Sequence, residues 1–124
     1  MEKSILKDDR FAIHTTGITV ESTSPVRCTL AVEDKHKNAR DAVMGGAIYT
    51  LADYAFGVFA NQVGIDTVTL NGQIDYLRAA GDGKLTATVI PVKDGRTTCV
   101  ARVIITDDRN REIAQATFTG IHLS

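Results

Sequence analysis

The sequence predicts an α+β domain in which an antiparallel β-sheet wraps one long central α-helix. Three observations predict it. Over residues 47–61, Ile48, Leu51, Ala52, Ala55, Phe56 and Phe59 fall three and four positions apart, the spacing of one helix face. Two strand-like segments precede this run and four follow it. Strands of that length, joined by tight turns, favour antiparallel pairing. At 124 residues, with no repeat, low-complexity tract or linker, the chain reads as a single domain over 1–124.

Taken in order, the first ten residues are charged and read as a frayed end or a short helix. Residues 11–20 suit a strand. Residues 26–32 form a clearer one, with Val26, Cys28, Leu30 and Val32 alternating against Arg27, Thr29 and Ala31. A polar loop over 33–41 leads to the helix. The stripe opposite its apolar face holds Gly46, Tyr49, Thr50, Asp53 and Gly57. Ala47, Ala52, Ala55 and Ala60 keep the helix slim enough to be wrapped closely, and Gly64 is its expected stop. Val68, Leu70, Ile74 and Tyr76 then alternate with Thr69, Asn71, Gln73 and Asp75. Ala80, Gly81, Asp82 and Gly83 are turn chemistry, and Asp94-Gly95 is a hairpin signal between strands at 85–92 and 97–106. After a turn at 107–110, a last strand runs over 112–122.

A net charge of −1 with scattered basic residues points away from nucleic acid and from membrane surfaces. Cys28 and Cys99 each sit in an apolar run, the usage of small buried thiols in a reducing compartment, and two cysteines are too few for a zinc site. The first residues lack an apolar signal core and no stretch approaches a membrane span, so the expected location is the cytoplasm.

Chemistry concentrates in residues 38–57. A polar loop enters the helix through Gly45-Gly46, and helix entrances expose backbone N–H groups that can polarise a carbonyl. Asp53 follows two turns later on an otherwise apolar helix, where a carboxylate is costly unless paired or used. Amide donor and acid together suggest acyl-group chemistry.

On these residues the chain resembles the hotdog fold. It is similar in particular to the phenylacetate-pathway (PaaI)-like acyl-CoA thioesterases of that superfamily. The resemblance rests on Asn38, the run Met44-Gly45-Gly46-Ala47 and Ala52-Asp53, on residues 69–78, and on Ile113 to Thr117. It implies hydrolysis of a small aryl- or medium-chain acyl-CoA to free acid and CoA. Asn38 and the Gly45 amide would bind the thioester carbonyl, and Asp53, contributed across a dimer interface, would be base or nucleophile. Gly46 and Met44 flank that amide and belong with the residues expected to contact substrate. Asn71 takes the neighbourhood where some relatives place a water-orienting serine or threonine. Arg78, Lys93 and Arg96 would lie toward the nucleotide phosphates. The resemblance implies a homodimer at least, with tetramers frequent among relatives, and no cofactor or metal, since CoA is part of the substrate.

One departure is evident: relatives usually carry His-Gly-Gly, and Met44 stands in the histidine's place. Met neither titrates nor donates a hydrogen bond, which keeps open a non-catalytic acyl-CoA or acyl-carrier binding protein. Met44 itself reads as core or pocket filler, and Lys35-His36-Lys37 as a solvated loop.

Overall fold

The computed structural model describes residues 9–62, 64 and 66–123. The frayed start expected over the first ten residues falls mostly outside them. Six strands form one antiparallel sheet: β1 (Thr19–Thr23), β2 (Val26–Ala31), β3 (Thr67–Tyr76), β4 (Lys84–Asp94), β5 (Thr98–Thr106) and β6 (Glu112–His122). Their order across the sheet is β1-β2-β4-β5-β6-β3, so β3 is an edge although it follows the helix directly. Helix α1 (Gly45–Ala60) lies against one face, as the alternation of strands and the single helical period require.

The core forms where the helix's apolar face meets that sheet. Leu51, Ala52, Ala55 and Phe56 pack there with Leu30, Ala87, Ala101, Val103 and Phe118, all fully buried. Phe56 stacks on Phe118 with ring centroids 5.3 Å apart, and Tyr49 meets Phe118 at 5.5 Å. Phe56 is thereby a core side chain. The side of α1 that is less buried carries Gly46, Tyr49, Thr50, Asp53 and Gly57, the stripe read from the sequence.

Close approach of helix and sheet depends on Gly72. A Cβ there would lie 2.7 Å from the Phe118 ring and collide with the Tyr49 hydroxyl. Gly72→Ala is therefore expected to lower unfolding stability by about 1–3 kcal/mol, the usual cost of overpacking. Denaturant titration checks this; an unchanged midpoint would mean that β3 moves freely off the helix.

Two elements differ from the sequence expectation. Residues 11–20 are not one strand. Phe11–Thr16 is a π-helical turn, Gly17 follows in the left-handed region at φ 89°, and β1 begins only at Thr19. The β-branched content of this stretch favours a strand locally, but burying Ala12 and Thr16 and bonding the Gly17 and Ile18 amides to the Ala12 carbonyl favours the turn. The helix begins at Gly45 rather than residue 47, and it ends at Ala60, before Gly64. Asn61 ends it: its Nδ2 donates to the Gly57 and Thr67 carbonyls, and its Oδ1 accepts the Thr67 amide. Its side chain thus performs the turn from α1 to β3.

Cys28 and Cys99 are free, buried thiols, and burial pushes Cys28 up to about 12. No helix among the described residues is long and apolar enough to cross a membrane.

Candidate active site

The loop before α1 is held by its own polar groups. Asn38 Oδ1 accepts the Arg40 and Ala42 amides at 2.9 and 3.2 Å, an Asx-type closure that lets Asp41 take a positive φ of 63°. The Met44 amide donates to the His36 carbonyl, and the Met44 carbonyl accepts the Ala47 and Ile48 amides. Met44 is the N-cap, and no side chain caps the helix. The Gly45 and Gly46 N–H groups therefore face outward without an acceptor among the described residues. The helix dipole adds partial positive charge at the same point.

Tyr76 fixes this entrance from β3. Its hydroxyl donates to the Gly45 carbonyl at 2.9 Å, and its ring would stand 3.2 Å from a Cβ on Gly45. Around the entrance, Asn38, Gly45, Ile48, Tyr76 and Arg78 line a cavity of about 400 Å³. On the other side of the same helix end, Phe11, Met44, Gly46 and Thr50 line a second cavity of about 480 Å³. Met44 is exposed and borders that cavity, so it is a lining residue and not core.

Asp53 lies on the Gly46–Thr50–Asp53 stripe and is half-buried. Burial raises its pKa above the usual carboxylate value, the Thr69 hydroxyl opposes that rise, and the nearby Asp9 charge adds to it. Thr69 Oγ1 donates to Asp53 Oδ1 at 3.3 Å. Removing this donor, as in Thr69→Val, withdraws a bond that favours the ionised form. The acid limb of any Asp53-dependent pH–rate profile is then expected to move to higher pH. A limb that stays in place, or moves down, would show that the hydroxyl does not act on the charged carboxylate.

Thr69 is not among the site residues expected from the sequence, and Asn71 is. The register shifts between Thr69 and Asn71, so Thr69 pairs with Gly120 while Asn71 pairs with Thr119. Gly120 and the neighbouring Phe118 pair, Gly72↔Phe118, mark the helix-facing side. Thr69 therefore points to the helix and Asn71 away from it. The available signal was the hydroxyl itself, since Thr69 is the threonine nearest the expected water-orienting position.

The other sequence candidates divide by place. Asn38, Gly45 and Arg78 share the 400 Å³ cavity. Arg96 lies in the β4–β5 hairpin, at the end of the sheet where Thr67 pairs with His122, opposite the end that carries Arg78. The loop trio is only partly solvated, contrary to expectation. His36 is buried, accepts the Glu33 amide at Nδ1 and meets the Thr16 carbonyl at Nε2. Lys37 is ion-paired to Asp82 at 2.6 Å and Asp41 at 3.5 Å. Both side chains anchor the loop that presents Asn38.

Along the chain, Gly45 and Asp53 are eight residues apart, a rise of about 12 Å on one helix. No single carbonyl can touch both groups of one chain. Helix and edge strand run antiparallel here: Tyr76 meets Gly45, Gly72 lies beside Tyr49, and Thr69 meets Asp53.

A family model described as the thioesterase superfamily matches residues 41–114, from the loop before α1 into β6. A curated protein of Deinococcus radiodurans named "Putative esterase" is 32% identical over 107 residues, covering 84% of this chain and 72% of that protein. The Escherichia coli PaaI protein of the phenylacetic acid degradation operon superposes with a TM-score of 0.91 at 25% identity, over 98% of this chain and 89% of that one. A Streptococcus pneumoniae protein described as a hypothetical thioesterase, solved with coenzyme A, gives 0.87 at 33% identity, over 96% and 97% of the two chains. Sequence, strand order and helix placement agree, and the chain belongs to the thioesterase superfamily as a hotdog-fold thioester hydrolase.

Proposed function

We propose that this chain hydrolyses acyl-CoA thioesters in active sites shared between two copies of itself. The observation that carries the reading is the antiparallel run of α1 along edge strand β3. Val68, Leu70 and Tyr76 are exposed on this edge, and Leu70 is 63% accessible. Long apolar edges of this kind favour pairing with another strand. A two-fold axis near Gly72 would set one β3 antiparallel to its copy. Thr69 and Asp53 of one protomer would then face the partner's Tyr76 and the partner's Gly45, closing the 12 Å gap that separates the groups within one chain. The same symmetry would bring the sheet end bearing the partner's Arg96 toward Arg78.

In such a site the Gly45 amide, with the Gly46 amide beside it, stabilises the oxyanion that forms as the thioester carbonyl is attacked. Asp53 takes a proton from the attacking water and returns it to the departing thiolate, giving free acid and CoA. Its upward-shifted pKa suits it to that exchange. Arg78, in the cavity with Asn38, meets the nucleotide phosphates, and the cavity of Phe11, Met44 and Thr50 takes an aryl or medium-chain acyl group. The coenzyme A bound to the Streptococcus pneumoniae neighbour supports the substrate class, and solved variants of that protein replace a threonine or an aspartate by alanine, the residue types that meet here as Thr69 and Asp53.

Release of free thiol from a panel of aryl- and fatty-acyl-CoAs tests the proposal. Turnover that depends on acyl chemistry is expected. Binding of acyl-CoA without release across the panel would instead make the chain an acyl-CoA binding protein.

A further inference from the structure

At the end of the sheet beyond the C-terminus of α1, the strand register gathers three residues that the thioesterase reading does not use. Asp94 pairs with Cys99 across the β4–β5 hairpin, and Cys99 pairs with Gly120 on β6. His122 follows two residues after Gly120, and pairs in turn with Thr67 at the start of β3. All four side chains therefore point to the same face. The glycine at 120 lets Thr67, Phe56 and Cys99 close together: a Cβ there would stand 3.0 Å from Thr67 Cγ2, 3.1 Å from the Phe56 ring and 3.2 Å from the Cys99 Sγ. One ligand atom from each of Asp94, Cys99 and His122 lies within 4.8 Å of the others.

From this geometry we infer a binding site for a thiophilic divalent cation of the Zn²⁺ class, ligated by Asp94, Cys99 and His122. Thiolate, imidazole and carboxylate are the donors that zinc takes at tetrahedral sites, and calcium and magnesium prefer oxygen alone. His122 Nε2 and Asp94 Oδ1 are 3.4 Å apart. That is close to the ~3.3 Å edge between nitrogen and oxygen ligands each about 2 Å from a tetrahedral metal. The remaining ring nitrogen, Nδ1, lies 2.6 Å from Thr67 Oγ1, the kind of outer hydrogen bond that orients a metal-binding imidazole.

Burial is graded across the cluster. Cys99 is fully buried, the His122 side chain is 5% exposed and that of Asp94 is 52% exposed. An ion can enter on the Asp94 side, where a water completes the fourth position. Binding forms a metal–sulfur bond and releases the Cys99 thiol proton to solvent. The sequence points away from zinc because it offers only two cysteines, whereas the fold pairs one of them with a distant histidine and an aspartate. Such an ion ties β4, β5 and β6 together next to Thr67, two residues before Thr69 on β3.

The test is titration of the chelator-treated, full-length protein with Co²⁺, followed by Zn²⁺. A thiolate-to-cobalt charge-transfer band saturating at one Co²⁺ per chain is expected, and Zn²⁺ bleaches it. Cys99→Ser loses the band and Cys28→Ser keeps it. Thr67→Val weakens Co²⁺ binding about 10–100-fold through the imidazole it orients. Asp94→Asn, at a half-exposed position that should not disturb folding, weakens it at least about 10-fold and loses the rise in melting temperature produced by Zn²⁺ in wild type. Absence of the band in wild type, or its survival in Cys99→Ser, would overturn the site. If Cys99→Ser does not fold, unchanged Co²⁺ affinity and an unchanged Zn²⁺ shift in Asp94→Asn would do so.

Discussion

Asp53→Asn is expected to lower kcat for acyl-CoA hydrolysis by about 10²–10⁴-fold, the range contributed by a positioned general base. Asparagine keeps the size of the side chain and can still meet the Thr69 hydroxyl, but it neither takes a proton nor attacks a carbonyl. The same change should make the folded protein more stable at neutral pH. The sign follows from linkage. Burial raises the Asp53 pKa in the folded state above the ordinary carboxylate value, so the folded protein holds the proton over a window in which the unfolded chain has lost it. Stability therefore falls as pH rises from the unfolded value through the folded one, and above it the buried charge is a standing cost. Asparagine removes that cost, and its advantage over wild type should disappear below the unfolded pKa. Denaturant midpoints for both proteins across acid to neutral pH check this. An Asp53→Asn protein that is less stable than wild type at neutral pH would show that the carboxylate is a structural partner and not a group held ready for chemistry.

Gly45→Pro should be nearly as damaging to turnover. Position 45 is the first residue of α1, where proline is favoured because its missing N–H has no helical partner. The residue before it, Met44, already has φ −63° and ψ 139°, the extended conformation that a following proline demands. The substitution removes one amide and keeps the helix start. Because the added Cβ stands 3.2 Å from the Tyr76 ring, Gly45→Ala, which adds the Cβ and keeps the amide, is its control and should stay active. Loss of one oxyanion donor costs about 10²–10³ in kcat, with much less effect on KM. Circular dichroism and gel filtration should match wild type. Full activity in a folded Gly45→Pro protein would remove this amide from the mechanism.

Legibility in the sequence followed the range of the interactions involved. The helix and its Gly46–Thr50–Asp53 stripe were readable because the 3.6-residue period is written within a few turns of chain. The hairpin at Asp94-Gly95 and the strands beside it were readable because turn chemistry is equally local. Residues 11–20 misled because Ile13, Thr15, Thr16, Ile18 and Val20 favour a strand by themselves, and only the packing of Ala12 and Thr16 overrules them. Tyr76 gave no local sign that it reaches the Gly45 carbonyl 31 residues away. His36, between two lysines, reads as solvated until the Thr16 carbonyl, 20 residues back, is seen beside it.

The candidate site shows the same division. Gly45 and Asp53 stood out because their residue types are unusual for a helix entrance and an apolar helix face. Thr69 was hidden by a single irregularity of β3. Strict alternation puts Thr69 and Asn71 on one face, and the register shift between them turns Asn71 to the other. The cluster of Asp94, Cys99 and His122 depends on three strands in register, and no spacing in the sequence announces it.

If one protomer supplies the amide and the other the carboxylate, two inactive variants restore activity when mixed. Asp53→Asn and Gly45→Pro proteins, each folded and each inactive, are combined in equal amounts under conditions that allow subunit exchange. In a shared site, every mixed dimer holds one active centre with both groups intact, and activity should return to about a quarter of wild type. If each protomer worked alone, no mixed dimer would contain an intact centre. Activity that stays at the level of the separate variants, with exchange verified, would rule out a shared site.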